Sequence, residues 1–285
     1  MAGDFDAWVG RVETAEDVIS AAQARRLAAT LDAASATPLG DLVEGAAVPP
    51  LWHWIGFLTE VPLAGLGPDG HPARGGFLPP VPLERRMWAG GRVTFHDAPL
   101  RLGAAMNRRS EILKVAEKTG GAGRMVFVTV AHRLTGPEGL AVTEEQDIVY
   151  IAMPETFAPP PPVPAPAAPV WAEDVPIDTV RLYRYSACTF NGHRIHYDLA
   201  YATEVEKYPG LVVHGPLQAT LMLEAARRHG GGRTPRTFSY RGVRPVFHFD
   251  RLAVMAEAEG DGVQPVCTVT GEGYVGMQGR VGWAG

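Results

Sequence analysis

The chain has 285 residues, a formal net charge of −5 and 46% hydrophobic residues, enough for one large domain or two modest ones with a full core. The acidic balance argues against a nucleic-acid partner. No apolar run is long enough to span a membrane, and two cysteines are too few for a disulfide framework. The start, Met1-Ala2-Gly3-Asp4-Phe5-Asp6, lacks the basic and apolar stretches of a signal peptide. Cys188 and Cys267 sit in strand-like runs and read as reduced, buried thiols, which points to a cytoplasmic protein.

In chain order, residues Thr14 to Asp32 are predicted as a helix, because Val18, Ile19, Ala22, Leu27, Ala28 and Leu31 recur near helical spacing. Thr37 to Pro50 is rich in turns. Leu51-Trp52-His53-Trp54-Ile55-Gly56-Phe57-Leu58 reads as a core strand or short helix; two tryptophans flanking a histidine also suit a ligand channel. Gly67 to Pro82 is too rich in glycine and proline for regular structure. A loop of that length in a compact domain is functional or mobile. Strand-like runs follow over Arg85 to Phe95, Leu102 to Glu117, Arg124 to Leu134 and Leu140 to Ile151, as expected of an antiparallel sheet. Ala158 to Pro169 is a polyproline-type linker. It sets the expected division: an N-terminal unit over 1–157, a linker over 158–175 and a C-terminal unit over 176–285.

In the second half, Thr179 to Phe190 is predicted as a strand. Gly215-Pro216 opens a helix, since proline is favoured in the first turn. Leu217 to His229 is apolar on most faces and should be buried. Arg227-Arg228-His229 suits the negative end of that helix, and Gly230-Gly231-Gly232 ends it. Strands are predicted over Thr237 to Val246, Leu252 to Glu259, Val263 to Gly271 and Tyr274 to Trp283.

Chemistry concentrates between these elements, in Phe190-Asn191-Gly192-His193-Arg194-Ile195-His196-Tyr197-Asp198 followed by Leu211-Val212-Val213-His214-Gly215. This layout resembles the motif of the MaoC-like R-specific enoyl-CoA hydratases. The variant is similar to the subfamily of mesaconyl-C4-CoA and itaconyl-CoA hydratases and 3-hydroxyacyl-thioester dehydratases. The resemblance implies an α+β double hot-dog, in which antiparallel sheets each wrap a helix, with a degenerate first unit that shapes the substrate pocket. It also implies a hydro-lyase acting on an acyl-CoA. The alternatives kept beside a dicarboxylic acyl group are a fatty 3-hydroxyacyl-thioester dehydratase and a non-catalytic acyl-CoA-binding protein.

Hydration of an enoyl thioester needs an acid/base and donors for the enolate oxygen. His196 suits the first task, having an ordinary pKa near neutrality. Gly215 suits the second, because amides at a helix start are unpaired and favour negative charge. Asn191 stands where the family commonly has an aspartate. An amide carries no catalytic proton, so Asn191 is assigned to positioning water. His193, Asp198 and His214 are assigned to substrate contact. Arg108 and Arg109 are candidates to meet a second substrate carboxylate, since an unpaired buried charge is costly. Arg236, Arg241 and Arg244 are candidates for the phosphates of coenzyme A. His53, His71, His96, His132, His229 and His248 read as structural or surface residues. No metal-ligand spacing and no nucleotide-binding loop is present, so no cofactor beyond substrate-borne coenzyme A is expected. A homodimer is the expected assembly.

Overall fold

The computed structural model describes residues 5–120 and 123–284. The first four residues of the acidic start therefore lie outside the described residues. Among the described residues, ten strands form one continuous antiparallel sheet. Along the chain come β1 (Val12–Val18), α1 (Ala21–Leu31), β2 (Arg85–Phe95), β3 (Ala105–Gly120), β4 (Gly123–Gly136) and β5 (Gly139–Ile151). The second half contributes β6 (Trp171–Val175), α2 (Thr179–Cys188), α3 (Gly215–His229), β7 (Pro235–Gly242), β8 (Leu252–Ala256), β9 (Val263–Thr270) and β10 (Val275–Trp283).

The strand order is β1-β3-β4-β5-β2-β7-β10-β9-β8-β6. If the strands of each half are numbered separately, both halves read 1-3-4-5-2 from their outer edge inward. They are joined where β2 pairs antiparallel with β7, from Gly90↔Arg241 to Thr94↔Thr237. The two sheets expected from the sequence are thus fused into one, with α1 and α3 entering at equivalent points of the two halves.

Helix α3 carries the core of the second half. Every residue from Leu217 to Ala226 is buried, which is the all-round burial its composition calls for. Its three buried polar side chains are paired, Thr220 Oγ donating to Pro216 O at 2.8 Å. Gln218 Oε1 accepts from Thr268 Oγ at 2.7 Å, and Glu224 accepts from Trp52 Nε1 at 3.1 Å, a bond that ties the first half to this helix.

Several predicted elements change. The helix expected from Thr14 splits into β1 and α1. Ser20 and Gln23 form a reciprocal capping box that starts the helix at Ala21, while Val12–Val18 pairs along β3. The strand expected over Thr179 to Phe190 is helix α2. Asp178 caps it through the Arg181 amide at 2.7 Å, and Leu182, Tyr185 and Ser186 form its buried stripe. The β-favouring Val180 and Tyr183 point outward. Trp52–Ile55 is a buried 3-10 turn. The proline-rich segment lies along β10, with Ala165 N donating to Gly273 O and Val275 N to Val163 O. Within the range assigned to the linker, Trp171–Val175 is edge strand β6.

Candidate active site

The motif folds as a tight turn. Asn191 Oδ1 accepts from the His193 amide at 2.9 Å, a local bond that fixes the loop. Arg194–His196 is a short 3-10 turn, and a π-helical turn follows at Tyr201–Val205. Asp198 caps that turn through the Tyr201 amide at 3.0 Å and pairs with Arg194 at 2.7 Å. The backbone bond to Tyr201 and the bond to Arg194 hold its carboxyl below the usual range. Both Asp198 oxygens are therefore engaged within the motif, which departs from the expected contact with substrate.

Four histidines form a column, with His193, His196 and His214 buried and His71 half-buried at its outer end. His196 stacks on His214, with ring centroids 3.7 Å apart. His193 meets His196 edge-on at 5.4 Å, and His71 packs on His193 at 4.2 Å. His196 Nδ1 lies 2.7 Å from the Val212 carbonyl. A carbonyl only accepts, so Nδ1 carries the proton and Nε2 holds a lone pair. Burial, then the neighbouring His214 and His193, pushes its pKa well below the usual value. His196 is therefore a neutral base with a free acceptor nitrogen. His214 Nε2 bonds Ser186 Oγ at 2.8 Å, and its Nδ1 is buried without a partner.

Two further residues come from the Gly/Pro loop of the first half. His71 Nδ1 donates to Asp69 Oδ2 at 3.0 Å. Burial takes the His71 pKa down to about 4. The loop is pinned to the motif by backbone: the Arg194 amide donates to Asp69 O at 3.0 Å, and Arg194 Nη1 donates to Pro68 O at 3.1 Å. At the other side, His193 Nε2 donates to Glu206 at 3.3 Å. Glu206 is itself held by Arg85 in a buried ion pair at 3.0 Å. The donor atoms of Asp69, His71 and His193 lie within 4.8 Å of one another. They belong to two separate hydrogen-bonded pairs rather than an open ligand set, because Asp69 binds His71 and His193 binds Glu206. The reading of His71 as structural or surface is thus replaced by a place in the site. Asp69, Glu206 and Arg85 carried no local signal, since they reach the motif only through tertiary contact.

Next to the column, α3 begins. Its N-cap His214 makes no side-chain cap, so the first amides stay available for an oxyanion. A Cβ on Gly215 would come within 3.0 Å of the Trp88 ring. Only glycine leaves the helix start open beside that wall.

The predicted arginines scatter. Arg109 shares the outer face of β3 with its partner Glu111, 2.6 Å away. Arg108 lies on the inner face with buried Ser110 and Ile112 and covers the Phe57 ring at 4.9 Å. Arg236 pairs with Asp97 at 2.7 Å, and Arg241 reaches Gln278 from an exposed position. Arg244 lies over Tyr274 at 5.0 Å and bonds the Pro160 carbonyl. Arg236 and Arg244 stand at opposite ends of β7, so the three do not form one phosphate cluster.

A fused sheet holding two helices, with a neutral histidine beside an open helix start, defines a double hot-dog acyl-thioester enzyme. The chain matches the family model of hydroxyacyl-thioester dehydratase type 2 over residues 51–248 and belongs to that family. It is 46% identical over 262 residues to a mesaconyl-C(4)-CoA hydratase of Chloroflexus aurantiacus, with 90% of each chain covered. Among solved structures it resembles a MaoC-like dehydratase from Phytophthora capsici, with TM-score 0.71, 15% identity and 99% of each chain covered. A double-hot-dog protein of Mycobacterium tuberculosis aligns with TM-score 0.56 and 15% identity over 96% of this chain and 95% of that one. The protein is a hydro-lyase of the MaoC-like group.

Proposed function

We propose that the chain hydrates a short dicarboxylic enoyl-CoA, mesaconyl-C4-CoA or its isomer itaconyl-CoA, to citramalyl-CoA. The observation that carries this reading is the free Nε2 of neutral, buried His196 beside the uncapped start of α3. In the hydration of mesaconyl-C4-CoA, whose double bond is conjugated with the thioester, His196 Nε2 takes a proton from water as the water oxygen bonds to the β-carbon. The electron pair of the double bond moves toward the thioester carbonyl, whose oxygen is held by the Gly215 amide. The α-carbon then takes a proton back from His196, which returns to its neutral form. His193, steadied by Glu206 and Arg85, orients the water, and the Asn191 turn holds His193 in place.

The acyl group is read from the 46% identical relative and from the pocket wall. Trp88 closes on Gly215 and packs on Trp54 at 5.2 Å and Tyr240 at 4.7 Å. An aromatic wall so near the helix start favours a short acyl group over the longer chains of the fatty 3-hydroxyacyl reading. The cytoplasm suits two cysteines that remain unpaired, and a homodimer remains the proposed assembly.

The test is a panel of enoyl-CoAs followed by loss of the conjugated thioester absorbance. We expect mesaconyl-C4-CoA to be turned over with a higher kcat/KM than crotonyl-CoA or a long-chain enoyl-CoA. Preference for the long chain sinks the dicarboxylic reading and favours the fatty-acid one.

A further inference from the structure

We propose that Arg86, assisted by the Tyr150 hydroxyl, binds the free carboxylate of the substrate and sets the preference for dicarboxylic acyl groups. This rests on the hydratase reading above and deepens it.

Arg86 is a half-buried cation, and its Nε and Nη2 are sealed from solvent with no hydrogen-bond partner among the described residues. Leaving guanidinium donors buried and unpaired is costly, and folded chains keep them so where a ligand completes the pairing. Directly across the sheet, Arg86 is in register with Tyr150. The Tyr150 hydroxyl is also buried; it faces the Arg86 guanidinium without a hydrogen bond of normal geometry. The two groups therefore stand side by side on one face, which is the arrangement a two-oxygen acceptor satisfies. Asp69, the acidic neighbour, does not satisfy Arg86: it forms no ion pair with Arg86 among the described residues, and its oxygens go to His71.

The position of Arg86 relative to the helix start follows from strand geometry. Arg86 and Trp88 are two residues apart on β2, ahead of the irregularity between Trp88 and Gly90. They therefore project to the same face, about 7 Å apart along the strand. Trp88 is the residue that touches Gly215. On the other side, Arg86 sits close enough to His71 and Asp69 to act on their titration, and His71 is the outer member of the histidine column. Arg86 thus lies between Trp88 at the helix start and His71 at the outer end of the column. In mesaconyl-C4-CoA the free carboxyl is attached to the β-carbon, the atom that receives water. Its partner must therefore border the catalytic base.

Arg108 also has a buried, unpaired Nε, and it was the candidate from sequence. From Gly215, however, the order of groups is Trp88, then Trp54 and Tyr240, then Glu144, which both of these bond. Arg108 lies beyond that wall, beside Glu144 and over Phe57. A carboxyl on the β-carbon of a substrate held at Gly215 cannot reach past three aromatic rings. The role assigned to Arg108 and Arg109 passes to Arg86.

The experiment compares kcat/KM for mesaconyl-C4-CoA and crotonyl-CoA in the wild type, Arg86→Gln, Arg86→Lys and Tyr150→Phe. Loss of one partner of a buried charge pair predicts that the mesaconyl-to-crotonyl ratio falls at least about 30-fold in Arg86→Gln. Most of the change should appear in KM. Arg86→Lys should recover part of the ratio, and Tyr150→Phe should lower it by a smaller factor. In the wild type, esterifying the free carboxyl of the substrate should cost a comparable factor, an outcome that needs no folded variant. If the wild type does not hydrate mesaconyl-C4-CoA, the hydratase reading of the substrate fails. If it does, and neither Arg86→Gln nor the methyl ester changes the ratio, the substrate stands and the role of Arg86 is overturned.

Discussion

In the proposed mechanism His196 Nε2 is the acid/base, and its readiness is set by burial. An imidazole with Nδ1–H given to the Val212 carbonyl presents one lone pair and no competing tautomer. Desolvation, with His214 and His193 nearby, keeps the ring neutral. The sign of the pH dependence follows. A base acts while unprotonated, so hydration should hold as pH falls through 6.5 and decline only below the depressed value. A profile of kcat/KM against pH checks this, because its acid limb reports the base in the free enzyme. A limb at or above 6.5 would show that His196 is not held neutral by its surroundings. Asn191, the departure from the family pattern, uses its oxygen to bind the His193 amide. In the proposed mechanism Asn191 acts through the loop that carries His193.

At the level of elements, the site is assembled from two distant pieces of chain. Gly70, with φ +87°, faces Gly192 so closely that a Cβ on Gly70 would lie 1.9 Å from the Gly192 carbonyl oxygen. A Cβ on Gly192 would in turn lie 2.7 Å from Gly70 O. Two facing glycines let the loop of the first half settle on the motif of the second and deliver Asp69 and His71. Gly70→Ala combines left-handed backbone strain with a backbone clash, a cost of roughly 1–3 kcal/mol or more. We expect it to displace the loop and lower kcat at least about tenfold while the sheet stays folded. Unchanged kcat, with normal circular dichroism, would mean the loop does not complete the site.

Much of this was legible in the sequence, and the remainder was not for physical reasons. His193, His196, His214 and Gly215 announce themselves because their chemistry is packed into short, regular spacing. The buried helix α3 and strands β7 to β10 show in the apolar pattern. Over helix α2, Val180, Tyr183 and Tyr185 favour a strand locally, while tertiary burial of Leu182 and Tyr185 selects the helix. Arg85, Arg86 and Glu206 gave no signal, since a charged residue looks solvated until the fold encloses it.

Over the whole molecule, the two halves repeat one strand order without repeating one sequence, and a single sheet carries both. The first half has become a wall and a loop donor for the second, and it also buries its own polar group. Glu144 binds His53 at 3.0 Å and Trp54 at 3.0 Å. Histidines are buried in both halves, and burial lowers the pKa of His71 and His132 to about 4 and of His214 to about 3. Unfolding frees each of them to bind a proton below about 6.5. Their contribution to stability is therefore full above that pH and is lost as pH falls toward the folded values, by at most about 1.4 kcal/mol per histidine per pH unit. Glu144, lowered to about 2 despite its burial, chiefly through its bond to His53, is lost only at lower pH. Tm should thus drop clearly between pH 7.5 and pH 5; a constant Tm over that range would contradict the buried, neutral histidine column. The most direct measurement is the rate of mesaconyl-C4-CoA hydration by His196→Ala beside the wild type, with the fold of both checked by circular dichroism. Removing the acid/base should lower kcat by about 10²-fold or more, and near-normal turnover in a folded variant would contradict the assignment of His196.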